Sequence, residues 1–249
     1  MKKLRILTLA MLLAIPSAKA VNPYWALNVA AGYNTVGMSS ELIDNVRAYQ
    51  SDYGWDFDFI TENTESGYVS VAPEYYFNNK ISLSGGLRLS LAHSRFCSDN
   101  DFFYYKLKEE GYNTYYYCVS SIDQHNFFAG IPIEFRFTTR GEGRPSPYIR
   151  AGVTFNLNIA NITTVHMHNS NTDNVKNKIR DKVEHPTDFS MPVYAAAGWM
   201  FGRKNSISVE MQFPYTIAVG SISAFGATNN VGIGFQITYQ IAKNGTKTE

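Results

Sequence analysis

The most regular feature of the chain is an alternation of apolar residues with small or polar ones. Near the C-terminus Val231, Ile233, Phe235, Ile237, Tyr239 and Ile241 take every second position, separated by Gly232, Gly234, Gln236, Thr238 and Gln240. The stretch Ile207 to Ile217 does the same around Ser206, Ser208, Glu210 and Gln212. Ile149–Ile159, Ala129–Phe137 and Ile81–Leu91 repeat the pattern, and weaker copies run through Trp25–Tyr33, Val69–Phe77 and Val193–Phe201. A period of two places alternate side chains on opposite faces of a strand. The pattern predicts eight strands and no helix of note beyond the N-terminal leader.

The connections alternate in length. Asn78-Asn79-Lys80, Arg140–Ser146 and Gly202–Ser206 are short and rich in turn formers. The others are long and polar, at about 39–66, 96–120 and 161–188, with a shorter one at 218–228. Short turns at one end and long loops at the other describe an eight-stranded antiparallel transmembrane β-barrel, an up-and-down meander. An even strand number brings both chain ends to the short-turn side.

Three features place the apolar face outward, toward lipid, rather than inward around a ligand. The polar strand positions hold Gly, Ser, Thr, Gln, Arg and Glu but almost no Lys, the residue a water-washed wall recruits freely. Aromatics gather at strand ends: Tyr24, Trp25, Tyr75, Tyr76, Phe77, Phe135, Phe137, Tyr148, Trp199, Phe201 and Tyr239 toward the short turns, and Tyr33, Tyr68, Phe96, Phe127, Phe128, Phe189 and Tyr215 toward the long loops. Those of outward parity suit two interfacial girdles. Third, residues 1–20 read as an export signal. Lys2, Lys3 and Arg5 precede an apolar run from Ile6 to Ile15, too short to span a bilayer, and Ala18-Lys19-Ala20 fits a cleavage site. The mature chain is then one barrel domain, 21–249, in a bacterial outer membrane with both termini periplasmic.

Composition narrows the classes further. Charged residues make up 17% of the 249, below the ~25% of ordinary soluble domains. The formal charge of +1 excludes a strongly basic nucleic-acid binder. No apolar run reaches the ~18 residues of a membrane helix. The leader, the eight-strand meander and the ending Asn230-Val231-Gly232-Ile233-Gly234-Phe235 resemble the outer-membrane β-barrel domain proteins of the Bacteroides group, often labelled porin-family or PorT-like. The architecture is also similar to the OmpA and OmpX barrels. The resemblance implies outer-membrane lipid and the barrel-insertion machinery as partners, and a protein of an envelope or secretion machine as a further one. It brings no cofactor and no catalytic motif.

Six charges fall on the inward parity: Glu74, Arg88, Glu134, Arg136, Arg150 and Glu210. They sit close enough to the short turns to form one layer. Isolated charges in a low-dielectric lumen are costly, so mutual pairing is expected. The layer reads as a structural plug, with a pore constriction as the alternative. The expected role is structural, with loops for surface recognition, on a monomeric barrel without enzymatic activity. A narrow channel for ions or small solutes and an accessory subunit of a secretion machine are the alternatives.

The loops carry weaker candidates. Cys97 and Cys118, the two cysteines, flank the second loop and are expected to form a disulfide in an exported chain. The first loop is acidic, with seven carboxylates against Arg47. Inside it Trp55, Asp56, Phe57, Asp58 and Phe59 alternate again, which suits strands projecting beyond the membrane and a contact to sugar, cation or protein. His166 and His168 form a His-x-His pair with Ser170 close by, but no third partner for metal or hydrolytic chemistry is placed by the sequence. Lys176 to Lys182, balanced by Asp173, Asp181 and Glu184, reads as solvated loop or short surface helix.

Overall fold

The computed structural model describes residues 24–37, 59–61, 64–98, 101–108, 114–139, 145–169, 173–183, 186–202, 205–223 and 231–242. The leader and Trp55, Asp56 and Asp58 lie outside them. Eight spanning segments build one antiparallel sheet. They are β1 (Tyr24–Val36), β3 (Thr64–Tyr76), the pair β4 (Ile81–Gly85) and β5 (Leu87–Ser98), β7 (Thr114–Thr138), β8 (Ser146–Met167), β9 (Phe189–Gly202), β10 (Asn205–Val219) and β11 (Val231–Ala242). Each pairs with its neighbours in sequence, and β1 pairs with both β3 and β11. That double pairing closes the sheet into a barrel and leaves no spanning edge.

β4 and β5 act as one spanning strand, in unbroken register with β3 and β7. The break falls at Gly86, where a Cβ would sit 2.1 Å from the Val71 carbonyl oxygen. The turn before β4 is set by Asn78, whose Oδ1 accepts the amides of Lys80 and Ile81 at 2.8 and 2.9 Å. These side-chain bonds add to the backbone bond from Phe77 N to the Ile81 carbonyl at 3.0 Å.

Below the row of Glu65, His93 and His125 the outward face is predominantly apolar. Leu87 is 70% exposed, Ile159 62% and Val69 58%, with Ile131, Ile149, Ile207 and Ile237 alike. Such a continuous apolar surface is stable against acyl chains and not against water. Trp25, Phe77, Phe135, Trp199, Phe201 and Tyr239 point outward near the short turns and form a girdle. Tyr33, Phe127 and Phe189 do so toward the long loops. The spanning is done by strands, since no described helix is long and apolar enough to cross.

The long-loop end departs from the expected open loops. β7 is 25 residues and β8 22, against about 10 for a bilayer crossing. Their outer halves pair with each other as far as Val119 and Met167. Two short strands join them, β2 (Phe59–Thr61) on β5 and β6 (Phe103–Lys108) on β7. The segment 96–120 is therefore largely a strand platform. The alternation that marks it, Phe103, Tyr105 and Leu107, is diluted by neighbouring tyrosines and lysines. In 161–188 the structure places a helix, α1 (Asp173–Arg180), after the β8 extension. β10 likewise runs to Val219, beyond the expected loop start at 218.

Candidate functional site: the sealed lumen and the outer platform

All six inward charges point into the lumen and are buried. Arg136 is 2% exposed and Glu74 1%. β3 and β7 deliver the first pair, with Arg136 Nη2 donating to Glu74 Oε2 at 2.6 Å. The same carboxylate accepts Asn28 Nδ2 and Gln240 Nε2, each at 2.7 Å, and the Ser82 hydroxyl. The other four charges form a chain. Arg88 Nη2 meets Glu134 Oε1 at 2.9 Å, Arg150 Nη1 meets Glu134 Oε2 at 3.0 Å, and Arg150 Nε lies 3.3 Å from Glu210 Oε2. Three arginines and three glutamates leave no net formal charge.

Tyrosines complete the network, and sequence reasoning missed them. Tyr68, Tyr76, Tyr148, Tyr194 and Tyr215 are all buried inside the barrel. Tyr68, Tyr76, Tyr148 and Tyr215 stand with the girdle aromatics in the sequence, yet they face inward, and Phe96 and Phe128 are likewise buried. The Tyr148 ring lies between Arg136 and Arg150, at 5.1 and 5.5 Å from the two guanidinium carbons, and its hydroxyl donates to Glu210 at 2.8 Å. It thereby joins the two parts of the network. Tyr194 donates to Glu134, and the Arg88 guanidinium lies 4.1 Å over the Tyr68 ring. Tyr68 in turn donates to Gln236 at 2.7 Å and accepts from Gln212 at 3.0 Å. The legible signal was parity: Tyr68, Tyr76 and Tyr148 share the even numbering of Glu74, Arg136 and Arg150 on their strands.

Two tyrosines sit where the facing strand carries glycine. Gly32 pairs with Tyr68 and Gly152 with Tyr194, and in each case the ring occupies the space a Cβ would need. The small residues on the inward parity are thus the room into which the large ones fold.

Above the charges the lumen is closed by apolar packing. Val36, Ala92, Phe128, Tyr194, Ala196, Tyr215, Ile217 and Ile222 form one buried cluster. Ile222 comes from the connection after β10, and Asn126 Nδ2 donates to its carbonyl at 3.1 Å, which ties that connection into the barrel mouth. A small cavity beside this cluster, lined by Asn34, Tyr68, Arg88, Phe128 and Asn156 among others, is about 10 Å³. That is room for one water molecule at most.

The platform has its own core. Phe96, Phe103, Tyr105, Leu107, Val119, Ile122 and Val165 pack against Val175, Ile179 and Val183 from α1 and its exit. The helical residues are spaced by four, so they share one face. Lys178 and Arg180 stand in the last turn, where cations favour the helix dipole. Burial among these side chains pushes the Tyr105 hydroxyl above its ordinary range.

The expected disulfide is not formed. Cys97 pairs in register with Ser121, three residues along β7 from Cys118, and no bond joins the two sulfurs. Three residues of strand, at ~3.3 Å each, exceed the ~7 Å between Cα atoms that a bridge tolerates. β6 explains the offset. It runs beside the end of β7, so Cys118 faces Tyr104 and not β5. His166 and His168 do not converge. His166 Nε2 lies 3.3 Å from Asp123 Oδ2, whereas the His168 ring packs on Phe102 at 4.7 Å. Among the described residues no group of His, Cys, Asp and Glu has the geometry of a metal site.

An apolar exterior, a polar interior and a closed antiparallel sheet define a transmembrane β-barrel whose lumen is filled by its own side chains. The chain matches no protein-family model. It matches no curated protein sequence. Among solved structures it is similar to Neisserial surface protein A (NspA), with a TM-score of 0.41 and 10% identity over 90% of this chain and 100% of that one. It is also similar to the COG4313 outer membrane channel from Pseudomonas putida F1, with a TM-score of 0.27 and 11% identity over 92% and 99%. Neither likeness assigns a function to this chain.

Proposed function

We propose that this chain is an integral protein of a bacterial outer membrane, in which the barrel is a non-conducting anchor and the platform is the recognition surface. The observation that carries the reading is the sealed lumen. Three arginines and three glutamates are bonded to one another across the interior, and an apolar stopper lies above them. A conducting pore of this size would need hydrated charges along an open path, and here the charges face each other. The platform is the part built beyond what anchoring requires, with a hydrophobic core of its own. In this reading the short turns and both mature termini are periplasmic, the long-loop end faces outward, and the barrel works as a monomer without catalysis.

Planar-bilayer recording of the refolded, heat-modifiable protein tests it. The expected trace has no discrete conductance steps. Steps whose size changes in Arg136→Ala or Glu134→Gln would overturn the plug and establish the pore. A companion fractionation should leave the protein in the membrane pellet after a carbonate wash, and its recovery in the soluble fraction would overturn the membrane assignment.

A further inference from the structure

The outer wall carries a polar cluster at the upper border of its apolar band. On β5 the outward residues Leu87, Leu89 and Leu91 are followed by His93 and Arg95. On β7 Phe127 is followed by His125 and Asp123. The register sets Glu65, His93 and His125 in one row, and Arg95 beside Asp123 in the next. Asp123 is the centre of the group. His166 Nε2 lies 3.3 Å from Oδ2, while Arg95 Nε and His93 Nε2 lie 3.7 and 3.8 Å from Oδ1. The Ser121 hydroxyl donates to Oδ2 at 3.0 Å, and the His125 ring stacks on His93 at 4.6 Å. These contacts are long and their donors are open: the Arg95 side chain is 52% exposed and that of His166 56%. So many nitrogen donors around one carboxylate leave donor capacity facing outward.

Directly below lies a groove in the wall, about 530 Å³, between the outward side chains Val69, Leu89, Leu91, Phe127 and Ile159, floored by Gly32 and Gly67. It continues toward the short turns as a second groove of about 400 Å³ along Val29, Val71 and Leu87. Gly67, on the outward parity, is what lowers the floor, and no atom lies within 4 Å of a Cβ built there. Above the cluster the outer face of the platform carries Phe102, Tyr104, Lys106 and Tyr116, with Lys106 Nζ 5.9 Å from the Tyr116 ring.

We propose that this wall holds one lipid of the long-loop leaflet, and that the lipid is a phosphorylated glycolipid. An acyl chain fills the groove. Its phosphate takes Arg95 and the imidazoles of His93 and His166 by charge-assisted hydrogen bonds. Asp123 and Glu65 accept from sugar hydroxyls, and the Phe102, Tyr104 and Tyr116 rings cover sugar faces. The mixture of donors and acceptors favours this occupant over a simple phosphodiester. A phosphodiester headgroup would use the nitrogen donors and leave the carboxylates of Asp123 and Glu65 without a partner on the ligand, while a sugar phosphate uses both. The groove is continuous with the lipid-facing wall, so an acyl chain reaches it without leaving the bilayer. The proposal rests on the membrane reading above.

Native mass spectrometry of the protein, extracted in mild detergent and then delipidated, tests it. Three probes are added back: a bis-phosphorylated glucosamine disaccharide lipid, its dephosphorylated form, and phosphatidylglycerol. The expected result is one bound disaccharide lipid per barrel, with at least tenfold weaker retention of the other two. Arg95→Ala and, separately, Leu91→Trp, which fills the groove, should each reduce retention about tenfold while heat-modifiable mobility stays unchanged. Equal retention of phosphatidylglycerol, or unchanged retention in both variants, would overturn the proposal. Those outcomes leave the membrane reading intact, because it fails only if the protein leaves the carbonate-washed pellet.

Discussion

At the residue scale the decisive contacts are those of buried charge. The Glu74 carboxylate accepts from four donors, of which Arg136 alone carries charge. Arg136→Ala should therefore destabilise the refolded barrel by about 3–5 kcal/mol, the cost of leaving an unpaired buried charge. Urea unfolding in lipid vesicles, followed by the loss of heat-modifiable mobility, reads this out. Removing both charges together, Glu74→Gln with Arg136→Met, should cost clearly less, since no orphan remains. A double variant as unstable as the single one would show that the pair stabilises beyond its own desolvation. The cysteines give a second test at this scale. The register predicts two titratable thiols in the unfolded protein and the same gel mobility with and without reductant.

At the element scale the barrel depends on how large and small residues face each other across strand pairs. Gly152→Ala puts a Cβ 2.5 Å from the Tyr194 ring, and that ring is held by its bond to Glu134. The expected cost is about 1–3 kcal/mol, as for other overpacked interiors. Gly67→Ala is the control on β3, where the space is open, and should be close to neutral. The same measurement as above compares them. α1 belongs to the platform and not to the barrel. Ile179 is fully buried there, so Ile179→Ala should loosen the platform by about 2–5 kcal/mol. Limited proteolysis should then cut in 168–186 at a higher rate, with barrel mobility on gels unchanged. A parallel loss of barrel mobility would show that platform and barrel unfold together.

At the scale of the whole molecule, two cores stand one above the other. The lower is an ionic and aromatic lumen surrounded by lipid, and the upper is a conventional hydrophobic core beyond the bilayer. This division follows from the solvent. In lipid every backbone polar group must be paired inside the sheet, and the closed ladder does so. Apolar side chains then gain little by turning inward, so the layer near the short turns is left to polar groups that pair with one another, and apolar packing returns only at the barrel mouth. Above the bilayer the ordinary hydrophobic effect returns, and Phe96, Tyr105 and Ile179 turn inward. A plug of this kind predicts a silent planar-bilayer trace, and it places the search for partners at the platform.

The sequence by itself determined the wall. Period-two alternation fixed which side chains of β1, β3, β5, β7, β8, β9 and β11 meet lipid, and the loop lengths fixed the order in which the strands pair; on β10 it held only as far as Phe213, beyond which a register shift turns Tyr215 and Ile217 inward. Parity also put Glu74, Arg88, Glu134, Arg136, Arg150 and Glu210 on one inner surface, because a strand leaves a side chain only two directions. What parity cannot give is who meets whom across the lumen, since that depends on the stagger of strands when the sheet closes. Only closure brought Arg136 to Glu74 over 62 residues of chain and seated Tyr148 between two arginines. The platform was illegible for a related reason. Its strands are short, their alternation is diluted by neighbouring tyrosines and lysines, and the pairing of β6 with β7, which sets Cys118 opposite Tyr104, appears only in the folded sheet.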